Sequence, residues 1–586
     1  MEYREVVTAE FIERPNRFIA YVNLHGERTK VHVKNTGRCR ELLKDHTKVY
    51  LEKSDSKTRA TAYDLVAVDK DGRLVNMDSN APNKVAGEWL RAGGLYGDVS
   101  LVRPEKTFGN SRFDFYVESL SGKRAFIEVK GVTLEREGAA AFPDAPSERA
   151  LKHVEELIEA RRQGYEAYLL FVVQMKGINF VEPNWDTQPA FGEALKKARR
   201  AGVRLLAYDC LVREDGLEMH APVPVFLDSL DRIAAPLLAW YDSGRRILPW
   251  REEPTPYHVW LSEIMLQQTR VEAVKPYYDR FLQALPDIES LAAADEEKLL
   301  KLWEGLGYYN RARNLKKAAQ ILVSEYGGRM PDDYEIILSL PGIGSYTAGA
   351  ISSIAFGKAY PAVDGNVLRI LARLRTDERD ILQAGVKKSV EEELADVMPK
   401  DRPGDFNQAL MELGAMVCIP NGAPKCDVCP WKELCRARAQ GITGEFPKKA
   451  GKKPRSIEKK TILVIQDAER VALRKRPEKG LLAGLYEFPS MEGNCEEERV
   501  LAYLRELGLL PLRIRALPPA KHVFTHKEWH MTGFLIRVDE LADRGGRQEG
   551  EGLIFVDPKE TRTNYPIPSA FAAYAEQVEM IRKPKK

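Results

Sequence analysis

Two isolated carboxylates and four clustered thiols have the types and spacing for chemistry. Glu263 stands alone in the apolar run Ser262-Glu263-Ile264-Met265-Leu266, followed by Gln267-Gln268-Thr269. Burial there would raise its pKa and let it donate a proton near neutral pH, although a lone glutamate is more often a helix cap or a surface residue. Asp364, in Val363-Asp364-Gly365-Asn366, also has apolar neighbours and precedes a helical segment, so it is either an N-cap or a catalytic group. Cys418, Cys426, Cys429 and Cys435 follow the spacing C-x7-C-x2-C-x5-C. Four thiolates so placed hold either zinc or an iron–sulfur cluster, and the close C-x2-C-x5-C ending suits a compact cluster. Far upstream, Asp114 lies in SRFDFYV, and Glu128 and Lys130 lie in AFIEVKG. Strand alternation puts Glu128 and Lys130 on one face. A carboxylate on one strand and Glu-x-Lys on the next is the arrangement of metal-dependent nucleases, with Mg²⁺ on the carboxylates and the lysine beside the attacking water. The plainer reading is a surface hairpin with a solvated Glu–Lys pair.

These groups must be positioned by several domains, because 586 residues exceed what one core supports. Residues 1–80 alternate apolar and polar side chains in short strands broken at Pro15-Asn16 and His25-Gly26, the pattern of a small β-barrel or sheet. Asn35-Thr36-Gly37 then opens RCRELLKD, which reads as a short helix. Residues 81–230 alternate helical segments at 147–163 and 188–201 with the strands AYLLFVV and VRLLAYD, an α/β pattern. Residues 231–440 are helical in period, and within them a helix at 333–340 runs through Pro341-Gly342-Ile343-Gly344 into a small-residue helix. That is a helix-hairpin-helix. Gly342 and Gly344 would leave backbone N–H groups open to a phosphate, although a glycine turn alone is more often structural. The segment 441–460 has seven basic residues from Lys448 onward against one glutamate and reads as a flexible tether that could lie along DNA phosphates. Residues 461–586 form a further α/β unit, with strand-like TILVIQD, RVALRKRP, GLYEFP, HMTGFLIRV and GLIFVD and a helix at 496–507.

A net charge of +3 says little about partners, so any basic surface must be local. Apolar runs stay short of a membrane span and the first residues are too charged for a signal peptide, so a cytoplasmic location and no membrane partner are expected. Seven cysteines do not make a disulfide framework, and Cys39, Cys210 and Cys495 are simplest as buried or idle thiols.

NRFIAYV, HVKNTGRCREL, SRFDFYVE, IEVKGVTL and AFPDAPSERALKHVEEL resemble the sugar fermentation stimulation protein A family along nearly all of residues 1–230. The resemblance implies a nuclease-like DNA-binding module behind an OB-like barrel, with Asp114, Glu128 and Lys130 as its cluster and Glu105 as a further candidate ligand. Hairpin, aspartate and thiol cluster, in that order, resemble the endonuclease III superfamily of DNA glycosylases, which implies a 4Fe–4S cluster on the four cysteines. Their first spacer is one residue longer than the six usual there. LPWREEPTPYHVWLSEIMLQQTRVEAV, LWEGLGYYNRARNL, LPGIGSYTAGAI, PAVDGNVLRILARL and FNQALMELGAMVC are similar to the adenine glycosylase family MutY. That implies removal of adenine mispaired with 8-oxoguanine or guanine in double-stranded DNA by a monomeric, nucleoid-associated enzyme. Glu263 would protonate adenine N7 and later activate water, and Asp364, held ionised, would stabilise the oxocarbenium ion or bond transiently to it. Tyr346 and Asn366 would orient them, Arg251 would support them, and Gln268 and Tyr308 would fill the gap left by the flipped base. Bifunctional relatives carry an amine where this chain has Tyr346, so a monofunctional glycosylase is implied. Arg476-Pro477, GLLAGLYEFP and His522-Val-Phe-Thr-His526 resemble the MutT-like (Nudix-like) domain of that family without the acidic helix of active hydrolases. Phe524-Thr525-His526 stands where the family's Phe-Ser-His loop touches 8-oxoguanine. Competing readings are a thymine or uracil mismatch glycosylase, against which the MutT-like region argues, and a non-catalytic damage-binding scaffold, against which Glu263 and Asp364 argue.

Overall fold

The computed structural model describes residues 1–580 apart from 36, 38, 55–58, 452–453 and 540–551. The chain divides into two compact units, Met1–Ile233 and Ala234–Lys586.

In the first unit, alternation builds the barrel. Strands Val6–Asn16, Ile19–Leu24, Glu27–Val33, Lys48–Lys53, Tyr63–Lys70 and Arg73–Asn76 form one sheet, and pairing of His32 with Asp64 closes the third strand onto the fifth. Behind it, a six-stranded sheet runs Gly216–Pro222, Arg204–Arg213, Glu166–Val173, Arg124–Val132, Ser111–Ser119 and Val99–Phe108. Its central pairings are parallel, and strand Glu166–Val173 is buried along nearly its whole length, as a strand covered on both faces must be. Helices Glu148–Arg162 and Pro189–Arg200 cover this sheet; Ser147 caps the first through Ala150 N at 3.1 Å.

The helix expected from RCRELLKD is not formed. Cys39 takes φ 45° and His46 φ 62°, and only Leu42 N and Leu43 N return to the Cys39 carbonyl, so the segment turns once and stops. Thr36 and Arg38 of that motif lie outside the described residues.

The second unit begins as helices. Pro256–Leu266 is buried at Tyr257 and over the seven consecutive positions Val259 to Met265, and Thr255 caps it. The hairpin is Tyr334–Ser339, then Ser345–Ile354 with Gly344 as an N-cap that supplies no side chain. Gly342 has φ 79°, and a Cβ there would come within 2.6 Å of Asn314 Cβ, so the turn requires glycine. Helix Gly365–Arg375 follows, capped by Asp364, and helix Pro403–Met416 packs on both it and Ser345–Ile354. Gly414 allows this closeness, since a Cβ would lie 2.7 Å from Asn366 Cβ.

The last sheet runs Tyr486–Glu487, Arg470–Lys475, Ser456–Asp467, Lys527–Val538, Pro511–Val523, with helix Glu497–Glu506 beside it. Two features differ from the sequence reading. Ser456–Lys460, placed in the tether, already pair in parallel with Lys527–Met531, while Lys452 and Lys453 of the tether lie outside the described residues. Strand Pro511–Val523 reads poorly because of Pro518-Pro519, which sit at a register shift between Leu517 and Ala520 at the sheet edge, where proline is tolerated. The sheet domain is docked on the helices: Arg313 Nη2 donates to Ala483 O at 2.7 Å, Lys475 pairs with Glu297 at 2.6 Å, Ile567 N donates to Glu304 at 2.7 Å, and Leu485 is part of the helical core.

Candidate active site

Helices Pro256–Leu266, Ser345–Ile354, Gly365–Arg375 and Pro403–Met416 converge on a cleft of about 630 Å³ lined by Arg246, Arg251, Glu263, Tyr346, Asp364, Asn366 and Glu412. The structure thus brings together all four residues expected to act on the bond, and Arg251 with them. Tyr346 donates its hydroxyl to Glu263 Oε2 at 2.5 Å. Glu263 is 5% exposed, and burial pushes its carboxyl up to about 7 against the opposing Tyr346 hydrogen bond, with the nearby Asp364 charge adding to the rise. Asp364 is both things the sequence allowed. It caps its helix through Asn366 N and Val367 N at 2.9 and 2.8 Å, accepts from Asn366 Nδ2 at 2.7 Å, and still faces the cleft. Burial raises its pKa, and those three hydrogen bonds oppose the rise.

Three residues that sequence reasoning missed hold this arrangement. Arg369 donates to Asn366 Oδ1 at 2.9 Å and to the Cys418 carbonyl at 3.0 Å, linking the Asp364 turn to the thiol segment. Glu412, only 2% exposed, accepts from Arg246 Nε at 2.6 Å and Nη2 at 3.0 Å and from Arg251 Nη2 at 2.9 Å. Arg251 therefore reaches Glu263 only as a neighbouring charge. Glu412, between Met411 and Leu413 in a helix that also holds Asp405, gave no local sign of its two arginine partners.

Gln268 and Tyr308 both have left-handed backbones, φ 59° and 47°, and Tyr308 is 51% exposed. Such conformations cost bulky residues about 1–3 kcal/mol and persist where surroundings impose them. Arg311, the third residue missed, imposes them. Its guanidinium donates to the carbonyls of Ile264 and Gln267 on one turn and of Leu306 and Gly307 on the other, at 2.6 to 3.1 Å. Tyr308 OH also meets Thr525 Oγ1 at 2.9 Å across a second cleft of about 580 Å³, lined by Gly342 on the helical side and by Phe524, Thr525 and His526 on the other. Phe524 is wedged between His522 and Trp529, and His526 is exposed. Gly344 sits at the start of helix Ser345–Ile354.

The four clustered cysteines line one small cavity with Arg373 and Arg438, and Arg373 Nη1 donates to Cys418 Sγ at 3.3 Å. Burial pushes the Cys429 thiol up to about 12, so metal binding would have to draw off its proton. Cys39, Cys210 and Cys495 are buried.

In the first unit, Glu128 Oε1 accepts from Lys130 Nζ at 2.6 Å and is hydrogen-bonded to His153 Nδ1 of helix Glu148–Arg162. Asp114 is fixed by Val129 N and Asn83 Nδ2, both at 2.8 Å, and the Glu128 charge helps burial raise its pKa. Glu128 is 3% exposed, and its Oε2 is buried without a hydrogen-bond partner. A solvated surface pair is thereby excluded, and an unclaimed carboxylate oxygen beside a second carboxylate fits a divalent cation. Glu105 does not join them. It is exposed on strand Val99–Phe108 and pairs with Arg112 at 3.3 Å.

Residues 12–77 match the family described as SfsA N-terminal OB domain, and 80–216 the sugar fermentation stimulation protein RE domain. Residues 261–400 match the HhH-GPD superfamily base excision DNA repair protein, and 461–577 the NUDIX domain. A sugar fermentation stimulation protein homolog of Clostridium beijerinckii is 50% identical over 227 residues, 39% of this chain and all of that protein. An adenine DNA glycosylase of Mus musculus is 38% identical over 375 residues, 54% of this chain and 73% of that protein. Among solved structures, a trapped endonuclease III–DNA covalent intermediate is 25% identical over 36% of this chain and 96% of its own, with a TM-score of 0.32.

Proposed function

Because the chain belongs to the sugar fermentation stimulation protein family over its first unit and to the adenine DNA glycosylase family over its second, we propose that the second unit hydrolyses the N-glycosidic bond of adenine mispaired with 8-oxoguanine or guanine. The observation that carries this reading is Glu263, a buried carboxyl with a pKa near 7, hydrogen-bonded to Tyr346 in one cleft with Asp364. A base inside a duplex is out of reach, so the adenine must be turned out into that cleft. Glu263 enters protonated and gives its proton to adenine N7 as the bond lengthens, which neutralises the leaving base. Positive charge then grows on the sugar beside Asp364, whose hydrogen bonds from Asn366 and Val367 favour the carboxylate. Two carboxyl groups in different surroundings thus divide the tasks. Ionised Glu263 next takes a proton from the water that attacks the sugar. Tyr346 offers no amine, so the strand is left uncut.

The test is release of free base from duplexes carrying A opposite 8-oxoguanine, A opposite G, and T or U opposite G. Adenine release from the first two supports the reading, whereas release of thymine or uracil but not adenine overturns it.

Tyr308 and Thr525 are proposed to meet the strand carrying 8-oxoguanine, with Phe524 and His526 flanking Thr525. Their hydroxyls are hydrogen-bonded, so their contributions should not add. Tyr308→Phe and Thr525→Val are each expected to lower the preference for 8-oxoguanine over guanine opposite adenine by about 2–10-fold, and the double variant by little more than either one. Single-turnover rates on the two duplexes measure this, and additive losses would show that the contact carries no discrimination.

The four cysteines are proposed to hold a 4Fe–4S cluster, which serves structure and not bond cleavage. The four thiols line one small cavity, their close C-x2-C-x5-C ending suits a compact cluster, and a four-iron cluster takes one thiolate per iron. Purified chain is expected to carry about four irons and as many labile sulfides, both lost in Cys429→Ser. Stoichiometric zinc in their place would refute the assignment.

A further inference from the structure

The proposed base removal leaves a strand that carries an abasic sugar but is still continuous, because Tyr346 stands where an amine would be needed for elimination. The reaction class that must consume this product is hydrolysis of a phosphodiester next to that sugar. Resting on the glycosylase reading above, we propose that the first unit performs it, so that one chain removes the base and then incises the strand.

The first unit carries the groups this reaction needs. Asp114 and Glu128 stand side by side on neighbouring antiparallel strands, with Asp114 locked by Val129 N and Asn83. Lys130 and His153 both bind one oxygen of Glu128 and leave Oε2 buried and unclaimed. A purely structural Glu–Lys–His group gains nothing from an orphaned acceptor, since buried polar atoms are otherwise satisfied. A divalent cation at Asp114 and Glu128 would supply the charge that activates water and offsets the phosphate. His153 fixes the Glu128 carboxylate, and Lys130, 13% exposed, can reach the attacking water or a phosphate oxygen. In the step itself a water oxygen adds to phosphorus and the P–O3′ bond breaks. A water proton passes to solvent and the 3′ oxygen takes one up. The products are a 3′-hydroxyl and a 5′-phosphate, and nothing but water is consumed.

Chain continuity favours this product over other nucleic acids. The first unit ends at Ile233 and the second begins at Ala234, so the nuclease-like centre is carried to every site where the glycosylase acts, and the second encounter is intramolecular.

The test uses full-length chain with Mg²⁺ or Mn²⁺ on two duplexes, one with adenine opposite 8-oxoguanine and one with a ready-made abasic site. Wild type is expected to release adenine and then cut, leaving 3′-hydroxyl ends. Glu128→Gln and Asp114→Asn are expected to release adenine at the wild-type rate and to keep the wild-type circular dichroism and resistance to limited proteolysis of the first unit, while incision falls at least about 100-fold. Glu263→Gln should still cut the ready-made abasic duplex. Mn²⁺ binding measured by calorimetry without DNA should weaken in Glu128→Gln. An uncut abasic duplex with wild type, incision that persists in Glu128→Gln, or unsaturated-aldehyde ends would each overturn the proposal. Incision of the abasic duplex without adenine release would refute the glycosylase reading and leave this activity standing.

Discussion

Glu263→Gln is expected to slow single-turnover adenine release by about 10²–10⁴-fold while leaving mismatch binding intact, the loss that follows when a positioned general acid is removed. In the wild type, release should fall as pH rises through about 7, because burial holds the Glu263 proton up to that pH and the acid must enter protonated. That limb should be missing from the residual activity of the variant. Stability should change as well, in the opposite sense. A buried carboxyl with pKa near 7, against 4.5 in the unfolded chain, favours the folded state at low pH, and this contribution is lost between those two values. On the order of 3 kcal/mol is involved, so Glu263→Gln should be the more stable chain above pH 7. Denaturation at pH 5 and pH 8 reads this directly, and a wild-type rate profile flat from pH 6 to 9 would remove Glu263 as the acid.

Glu412→Ala is expected to cost about 3 kcal/mol, since it strips two partly buried guanidiniums, Arg246 and Arg251, of their shared carboxylate. Burial alone would raise the Glu412 pKa, but the two arginines outweigh it and hold the carboxyl below the ordinary glutamate range. Its stabilisation is therefore present at neutral pH and lost as pH falls through that range, the reverse of Glu263. Urea denaturation of wild type and variant at pH 7 and pH 4 measures both. A variant as stable as wild type at pH 7, or a gap that does not narrow at pH 4, would show that the triad contributes no net stability.

What was legible in the sequence were groups marked by local contrast. Glu263 and Asp364 stood out as single acids in apolar runs, and the cysteines by spacing, while Gly342 showed itself through a turn that admits no Cβ. Groups defined by distant partners were not legible. Glu412 meets Arg246 across 166 positions, and His153 meets Glu128 across 25, from a helix whose period records only which face is buried. Arg311 looked like one more basic residue on an amphipathic helix, because its five acceptors are backbone carbonyls and leave no side-chain pattern. Glu105 failed for the converse reason. The register sets it opposite Asp114, between Pro104 and Lys106, but its φ of 53° and its pairing with Arg112 at 3.3 Å leave it exposed to solvent. The missing RCRELLKD helix and the strand holding Pro518-Pro519 show tertiary pairing overriding local propensity.

The Arg311 clamp has a consequence for how a damaged site is found. Gln268 and Tyr308 belong to separate turns but are held by one guanidinium, so neither turn can relax without disturbing the other. Their awkward backbone geometry is set when the protein folds, so if the two side chains enter a base stack, their insertion requires little further ordering. A probe rigid in advance would test each base step in a brief encounter and withdraw, so the speed of search would be set by one half-buried arginine that donates only to backbone carbonyls at these turns.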